Sequence, residues 1–421
     1  MRAPANHATA CAGLLVLAAG LLAAGPAGAA ERWQFLPALT LTGEFTDNVS
    51  MVPDQGPGRR EADVSISAVP SAALRYNTYA TEALIRATPT FRYFFLHPGN
   101  NTRSLLDSMG VDLEYRRWLS QHVQLEATEH LLYFLDVQAQ PAAAVVIPRQ
   151  ESFVNTLSLA LSHQVATRTK MVYTASVATQ EFKDATVDDS VDYSPGLSVE
   201  QTVSQNVTLR VFGAWRRALF SRRYDLIRGV IDPRAYRSRI PFDLASSNDF
   251  DLYVAGVGVV YRITPTLSLT ADSGVLVPVH EVAHVYKTSH LDWLQSVALD
   301  KTFDRMQLIL RYSRDIAPTE GLSDQVLNQT VTLQFSREWV RDLRTTFTAD
   351  YGHYDATAVT IDQIRVAADL HYMVLPWLGI GGGYQYTYQQ SKVGTAHPRV
   401  KENQVTLSLS FLPPRPDALR F

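Results

Sequence analysis

From about residue 35 to residue 411, apolar and polar residues alternate with a period of two, in runs longer than an ordinary strand. No other feature restricts the fold as much. Phe35, Pro37, Leu39, Leu41, Gly43 and Phe45 share one face of the first run, and Thr40, Thr42, Glu44 and Thr46 share the other. Residues 83–95 repeat the design, with Ala83, Ile85, Ala87, Phe91, Tyr93 and Phe95 opposed to Glu82, Arg86, Thr88 and Arg92. Val207, Leu209, Val211, Gly213 and Trp215 continue it, as do Leu378, Ile380, Gly382, Tyr384, Tyr386 and Tyr388. Each run reads as a strand with one greasy and one wet face. At about 11–16 residues, these strands exceed the usual length in soluble sheets and suffice to cross a bilayer at a steep tilt.

About eighteen such strands are expected, from residues 33–46 to residues 402–411. The intervals between them alternate short and long, with most of the Pro and Gly in the long ones. Short periplasmic turns and longer outer loops are the habit of bacterial outer-membrane barrels, which predicts that both termini are periplasmic. In lipid every backbone donor and acceptor must be paired, so a sheet with two open edges has to close on itself. The expected fold is therefore all-β: a transmembrane antiparallel up-and-down barrel in the bacterial outer membrane. With eighteen strands tilted near 40°, its backbone diameter is roughly 36 Å. Aromatic residues gather near strand ends, with Trp33, Tyr76, Trp118, Tyr261, Trp339 and Trp377 by the short turns. Phe45, Phe95, Phe134, Phe182, Trp215 and Tyr388 lie towards the long loops, as two interfacial girdles would require.

Residues 1–30 read as a signal peptide, with Arg2, an apolar core from Gly13 to Ala24 and a small-x-small site at Ala27-Gly28-Ala29. Cys11 lies before that core, so the expected mature chain has no cysteine and no thiol chemistry. No later apolar run approaches the roughly 18–20 residues of a spanning helix. The barrel is expected over residues 31–411 and a tail over 412–421, with Phe411 and Phe421 both candidates for the terminal aromatic read by the barrel-assembly machinery. A formal charge of -3 across 421 residues implies neither a nucleic acid nor another strongly charged partner.

Residues 280–290, HEVAHVYKTSH, match a zinc-protease spacing, with His280, Glu281 and His284 followed by His290. That chemistry needs the two histidines one helical turn apart. On a strand they stand about 13 Å apart, too far to share an ion. The period-two run Leu267 to Val277 leads into Pro278 and the motif, and Lys287 replaces the glycine of the longer pattern. The match is read as coincidence within an outer hairpin, and neither metal nor cofactor is expected. Gly379, Gly381, Gly382 and Gly383 lack the lysine of a phosphate loop and are read as strand glycines that relieve bending or make room for aromatics. His130, His163 and His371 lie among serines and acids, but no motif selects a catalytic pair, so no enzymatic activity is expected.

The longest interval, residues 220–247, carries Arg222, Arg223, Arg228, Arg234, Arg237 and Arg239 with Tyr224 and Tyr236 interleaved. Arg216 and Arg217 stand at its root. Guanidinium forks pair with carboxylate or phosphate, and tyrosine faces stack on sugar rings. The loop is a candidate constriction or landing site for an acidic polymer, or else a solvated loop gripping lipopolysaccharide. The expected lumen face mixes both signs, including Glu82, Arg86, Arg92, Asp112, Glu114, Arg116, Glu126, Arg305 and Asp369, and neither sign dominates.

The stretch LTLTGEFTDNVSMVPDQ and the later ADVSISAVPSAALRY carry an Asp47-Asn48 pair after the first strand, then Asp63, then Pro70 within the second strand. In these features the chain resembles outer-membrane β-barrel proteins associated with exopolysaccharide and PEP-CTERM gene clusters. The resemblance implies a barrel with a part in polysaccharide secretion and assigns no catalytic residues. The resulting expectation is a passive channel assisting exopolysaccharide export across the outer membrane. The alternatives are a general diffusion porin and a non-conducting barrel that anchors a secretion complex. Expected partners are outer-membrane lipid and lipopolysaccharide, the barrel-assembly machinery, and a polysaccharide substrate with its export complex.

Overall fold

The computed structural model describes residues 32–49, 61–102, 108–134, 152–182, 190–220, 250–282, 285–288, 291–319, 322–355, 360–392 and 398–412. The strand segments in chain order begin with β1 (Arg32–Thr46), β2 (Asp63–Asn77), β3 (Thr81–Pro89), β4 (Phe91–Phe94) and β5 (Met109–Ser120). Next come β6 (Val123–Phe134), β7 (Ser152–Ala166), β8 (Thr169–Phe182), β9 (Ser190–Thr202) and β10 (Val207–Phe220). They are followed by β11 (Phe250–Thr264), β12 (Leu267–Val282), β13 (Val285–Thr288), β14 (Asp292–Phe303) and β15 (Met306–Thr319). The last five are β16 (Leu322–Val340), β17 (Leu343–Asp355), β18 (Thr360–Leu375), β19 (Leu378–Lys392) and β20 (Arg399–Phe411).

All twenty segments belong to one antiparallel sheet, and once β3 with β4 and β13 with β14 are each counted as one wall strand, every pairing but one joins chain neighbours. The exception joins β1 to β20, from Leu39 opposite Phe411 to Thr46 opposite Gln404, and shuts the sheet into a cylinder. β4 continues β3 along β2, and β14 continues β13 along β12, so the twenty segments make eighteen wall strands. The expected all-β closed barrel is the observed fold. No helix among the described residues is long and apolar enough to cross a membrane.

Two local breaks have plain causes. β3 stops at Pro89, and on the register shared by β3 and β4 along β2, Pro70 falls opposite Pro89. Neither residue has an N–H, so the ladder lapses for one step there. At the two-residue turn between β16 and β17, Asp342 adopts φ 70°, the left-handed geometry such hairpins need and Asp tolerates. Other short turns are closed by hydroxyls: Thr78 Oγ1 accepts from the Thr81 N–H at 3.0 Å, and Ser204 Oγ from the Val207 N–H at 3.1 Å.

Outside, the wall is apolar. Phe35, Ile66, Leu74, Val211, Val257 and Leu407 all lie on the outward face and are between 40% and 69% exposed. A belt of this extent suits hydrocarbon, and a closed antiparallel barrel leaves no strand edge unpaired over most of its height. Such barrels are the spanning architecture of the bacterial outer membrane. At the short-turn end Trp33 and Tyr76 pack at 4.6 Å between ring centroids, Trp377 stacks on Phe411 at 6.4 Å, and the Arg337 guanidinium sits 4.0 Å over Trp339. Trp118 departs from the expected girdle. Its register opposite Gln124, one step from the Arg116–Glu126 pair, places it on the lumen face.

Candidate functional site: the lumen wall and its outer rim

Directly opposed residues share a face, so the registers specify the lumen lining. One row runs His371, Gly381, Ser408, Thr42 and Ser67 across β18, β19, β20, β1 and β2. The next row runs Asp369, Gly383, Thr406, Glu44 and Ser65. This sector is hydroxyl-rich. Other sectors are charged, and there opposite signs meet on adjacent or next-adjacent strands. Arg92 reaches Glu44 at 3.0 Å, Arg116 lies 2.9 Å from Glu126 and 3.6 Å from Glu82, and His130 is 2.9 Å from Asp112. Arg210 bonds Asp272 at 2.5 Å, Arg365 bonds Asp350 at 2.9 Å, and Arg216 bonds Asp192. Charges neutralised side by side in the wall project little field into the lumen. The expected mixture of signs is present, with one correction: Arg305 lies in the turn between β14 and β15, where its carbonyl accepts from the Glu338 N–H at 2.8 Å.

The lumen-facing glycines of β19 make room for polar groups, not aromatics. Gly379, Gly381 and Gly383 face the lumen; a Cβ at Gly383 would stand 2.5 Å from Asp369 Oδ1, and one at Gly379 would stand 2.6 Å from His371 Nε2. Gly382 lies on the outward face beside Leu407. Among the described residues no hydrogen bond joins His130, His163 or His371 to a serine; His130 binds Asp112 instead.

Arg216 and Arg217 separate. Arg216 points inward to Asp192, while Arg217 stands opposite Asp251 and Tyr193 on the outward face. Neighbouring residues of a strand must do this, and Trp215 Nε1 also donates to Asp251 at 3.0 Å on the outer side. Arg222, Arg223, Tyr224, Arg228, Arg234, Tyr236, Arg237 and Arg239 lie outside the described residues. His280 and Glu281 lie near the end of β12, and β13 returns beside them with Lys287 opposite His280 and Tyr286 opposite Glu281. The helix that a zinc protease needs is replaced by a hairpin; His284 and His290 lie outside the described residues.

The Asp-Asn pair, Asp63 and Pro70 acquire physical roles. At the long-loop end of the seam, Asp47 accepts from the Asn403 N–H at 2.7 Å and from Asn403 Nδ2 at 2.6 Å, and Asn48 Nδ2 donates to the Lys401 carbonyl at 2.9 Å. Thr46 Oγ1 donates to Glu402 at 2.8 Å. Asp63 is buried and accepts from the N–H groups of Val64, Leu96 and His97 at 2.7, 3.1 and 3.1 Å, and its Oδ2 lies 2.7 Å from His97 Nδ1. His97 Nε2 meets Glu61 at 2.5 Å. Contacts with Glu61 and Asp63 raise the His97 pKa above the ordinary histidine value. These residues form a rim staple tying β1, β2, β4 and β20 together. Sequence reading flagged three of its residues through resemblance and missed the rest, because the partners of Asp47 and Asn48 lie at the far end of the chain and those of Asp63 lie across a loop whose path the sequence does not give.

No family model matches the chain, and no curated protein matches it. Among solved structures it is similar to Acinetobacter baumannii OccAB3, with 10% identity, a TM-score of 0.45 and coverage of 90% of this chain and 100% of that one. It is also similar to Pseudomonas aeruginosa OccK2 (OpdF) in complex with glucuronate, at 9% identity, TM-score 0.46 and coverage of 90% and 98%. A BenF-like porin from Pseudomonas fluorescens Pf-5 gives 9%, 0.45, 90% and 99%. At these scores the likenesses add nothing to the argument from the chain's own registers. Those registers describe a closed, eighteen-stranded antiparallel barrel with an apolar exterior and a polar lumen.

Proposed function

We propose that the protein is a passive conduit in the outer membrane, with both chain ends periplasmic, and that its cargo is an exopolysaccharide. One observation carries this reading. The lumen wall sets a hydroxyl-rich sector beside sectors in which several charges, among them Arg116, Arg210 and Arg365, lie against carboxylates, a lining suited to polar, weakly charged solutes. No chemistry on the cargo is part of the proposal.

Liposomes reconstituted with the full chain should swell in solutions of small sugars, and deletion of the gene should abolish secreted polymer while small-solute permeability persists. Swelling without loss of polymer would make the protein a general diffusion porin. Absence of swelling would reject the conduit and leave a structural barrel. The arginine-rich residues 222–239 belong to the same proposal as a constriction. Glutamine at Arg222, Arg223 and Arg228 should then lower anion preference in planar bilayers, and an unchanged preference rejects that role.

A further inference from the structure

Beginning at β2, one strand in from the seam, the lumen wall opens into a recess of about 270 Å³ near the short-turn end, lined by residues of β2, β3, β5 and β6. Two rows build it. In the deeper row Arg75 stands opposite Leu84, and Leu84 opposite Glu114. Leu84 is only 8% exposed and forms a buried apolar floor. With strands about 4.8 Å apart, the guanidinium and the carboxylate rise from roots roughly 10 Å apart on either side of it. In the row nearer the turn, Arg116 is shared between Glu82 and Glu126 at 3.6 and 2.9 Å. That pairing occupies Arg116. By contrast, Arg75 and Glu114 are exposed and make no ion pair or hydrogen bond with any described side chain.

A donor fork and an acceptor carboxylate flanking an apolar patch match one pyranose ring. Its C–H face needs the apolar floor, and its hydroxyls need one donor and one acceptor beyond the ring edge. The charge balance narrows the choice of sugar. Three carboxylates, Glu82, Glu114 and Glu126, face two guanidiniums, Arg75 and Arg116, so the recess is net negative and disfavours an acidic ring. We propose that this recess is a saccharide subsite that takes a neutral or amine-bearing hexose unit and rejects a uronate. The inference rests on reading the lumen as a glycan passage and names the first unit that passage engages at its short-turn mouth.

Calorimetric titration of the purified full chain with glucosamine, glucose and glucuronate tests it. Glucosamine should bind best, glucose more weakly and glucuronate least. Glu114→Gln should weaken glucosamine at least tenfold, and Arg75→Gln should weaken glucose and glucosamine alike. The reverse order of the sugars, or affinities untouched by both substitutions, would overturn the subsite. Conductance in planar bilayers is scored separately. A chain that binds glucosamine through Glu114 but forms no pore would sink the conduit and leave the subsite standing, and a conducting chain that binds none of the three sugars would do the opposite.

Discussion

The two ends of β2 use the same kinds of side chain in opposite ways. At the long-loop end the carboxylate of Asp63 is buried and engaged by three backbone N–H groups and one imidazole. At the short-turn end the guanidinium of Arg75 is exposed and has no partner among the described residues. One carboxylate holds strands and chain crossings in place; one guanidinium is left for whatever enters the lumen. The difference shows that polarity on a lumen face does not by itself mark a permeation group. The deciding quantity is how many of its hydrogen bonds the wall already satisfies.

The largest test of that contrast is Asp63→Ala, which removes the acceptor of three N–H groups and an imidazole at a buried site. It should cost about 3 kcal/mol, read as a lower unfolding temperature by circular dichroism and an earlier loss of heat-modifiable migration on gels. A barrel as stable as the parent would erase the distinction between the two ends. Asp47→Ala removes two bonds to Asn403 at the seam and should cost about 1–2 kcal/mol. A seam that melts no earlier would show that the β1–β20 ladder alone suffices.

The pH dependence sharpens the same comparison. The folded-state pKa of His97 is raised above its unfolded value, near 6.5. Its contacts with Glu61 and Asp63 therefore stabilise the rim in full below about pH 6.5. That contribution fades as the pH climbs through the raised value. Unfolding temperatures measured from pH 6 to 9 should fall more steeply for the parent than for His97→Gln, and parallel curves would remove the imidazolium from the account. The smallest effect is expected at the other end: Arg75→Gln and Glu114→Gln should each change stability by no more than about 0.5 kcal/mol. A larger loss at either would mean that the recess is structural after all.

Much of the architecture was legible without coordinates. Period-two patterning located the wall strands, and the alternation of short and long intervals set their connections, because a strand's two faces meet different solvents and each residue answers to one of them. The hairpin expected around the zinc-like motif is the one that holds His280 and Glu281. Other readings failed for want of neighbours. Trp118 reads as a girdle residue until its register puts it inside, and the β19 glycines read as room for aromatics until Asp369 and His371 are found leaning over them. Arg216 and Arg217 look like one feature, yet alternation sends them to opposite sides of the wall.

Taken alone, the amino-acid order determined a closed cylinder, because lipid leaves a long amphipathic sheet no stable open edge. It could not say which polar groups would be spent on one another. Asp47 and Asn403 are 356 positions apart and touch only once the first and last strands meet. Arg75 and Glu114 stand apart over Leu84 only because β3 runs between them. Partnership in this wall depends on register across strands, and register exists only in the closed sheet.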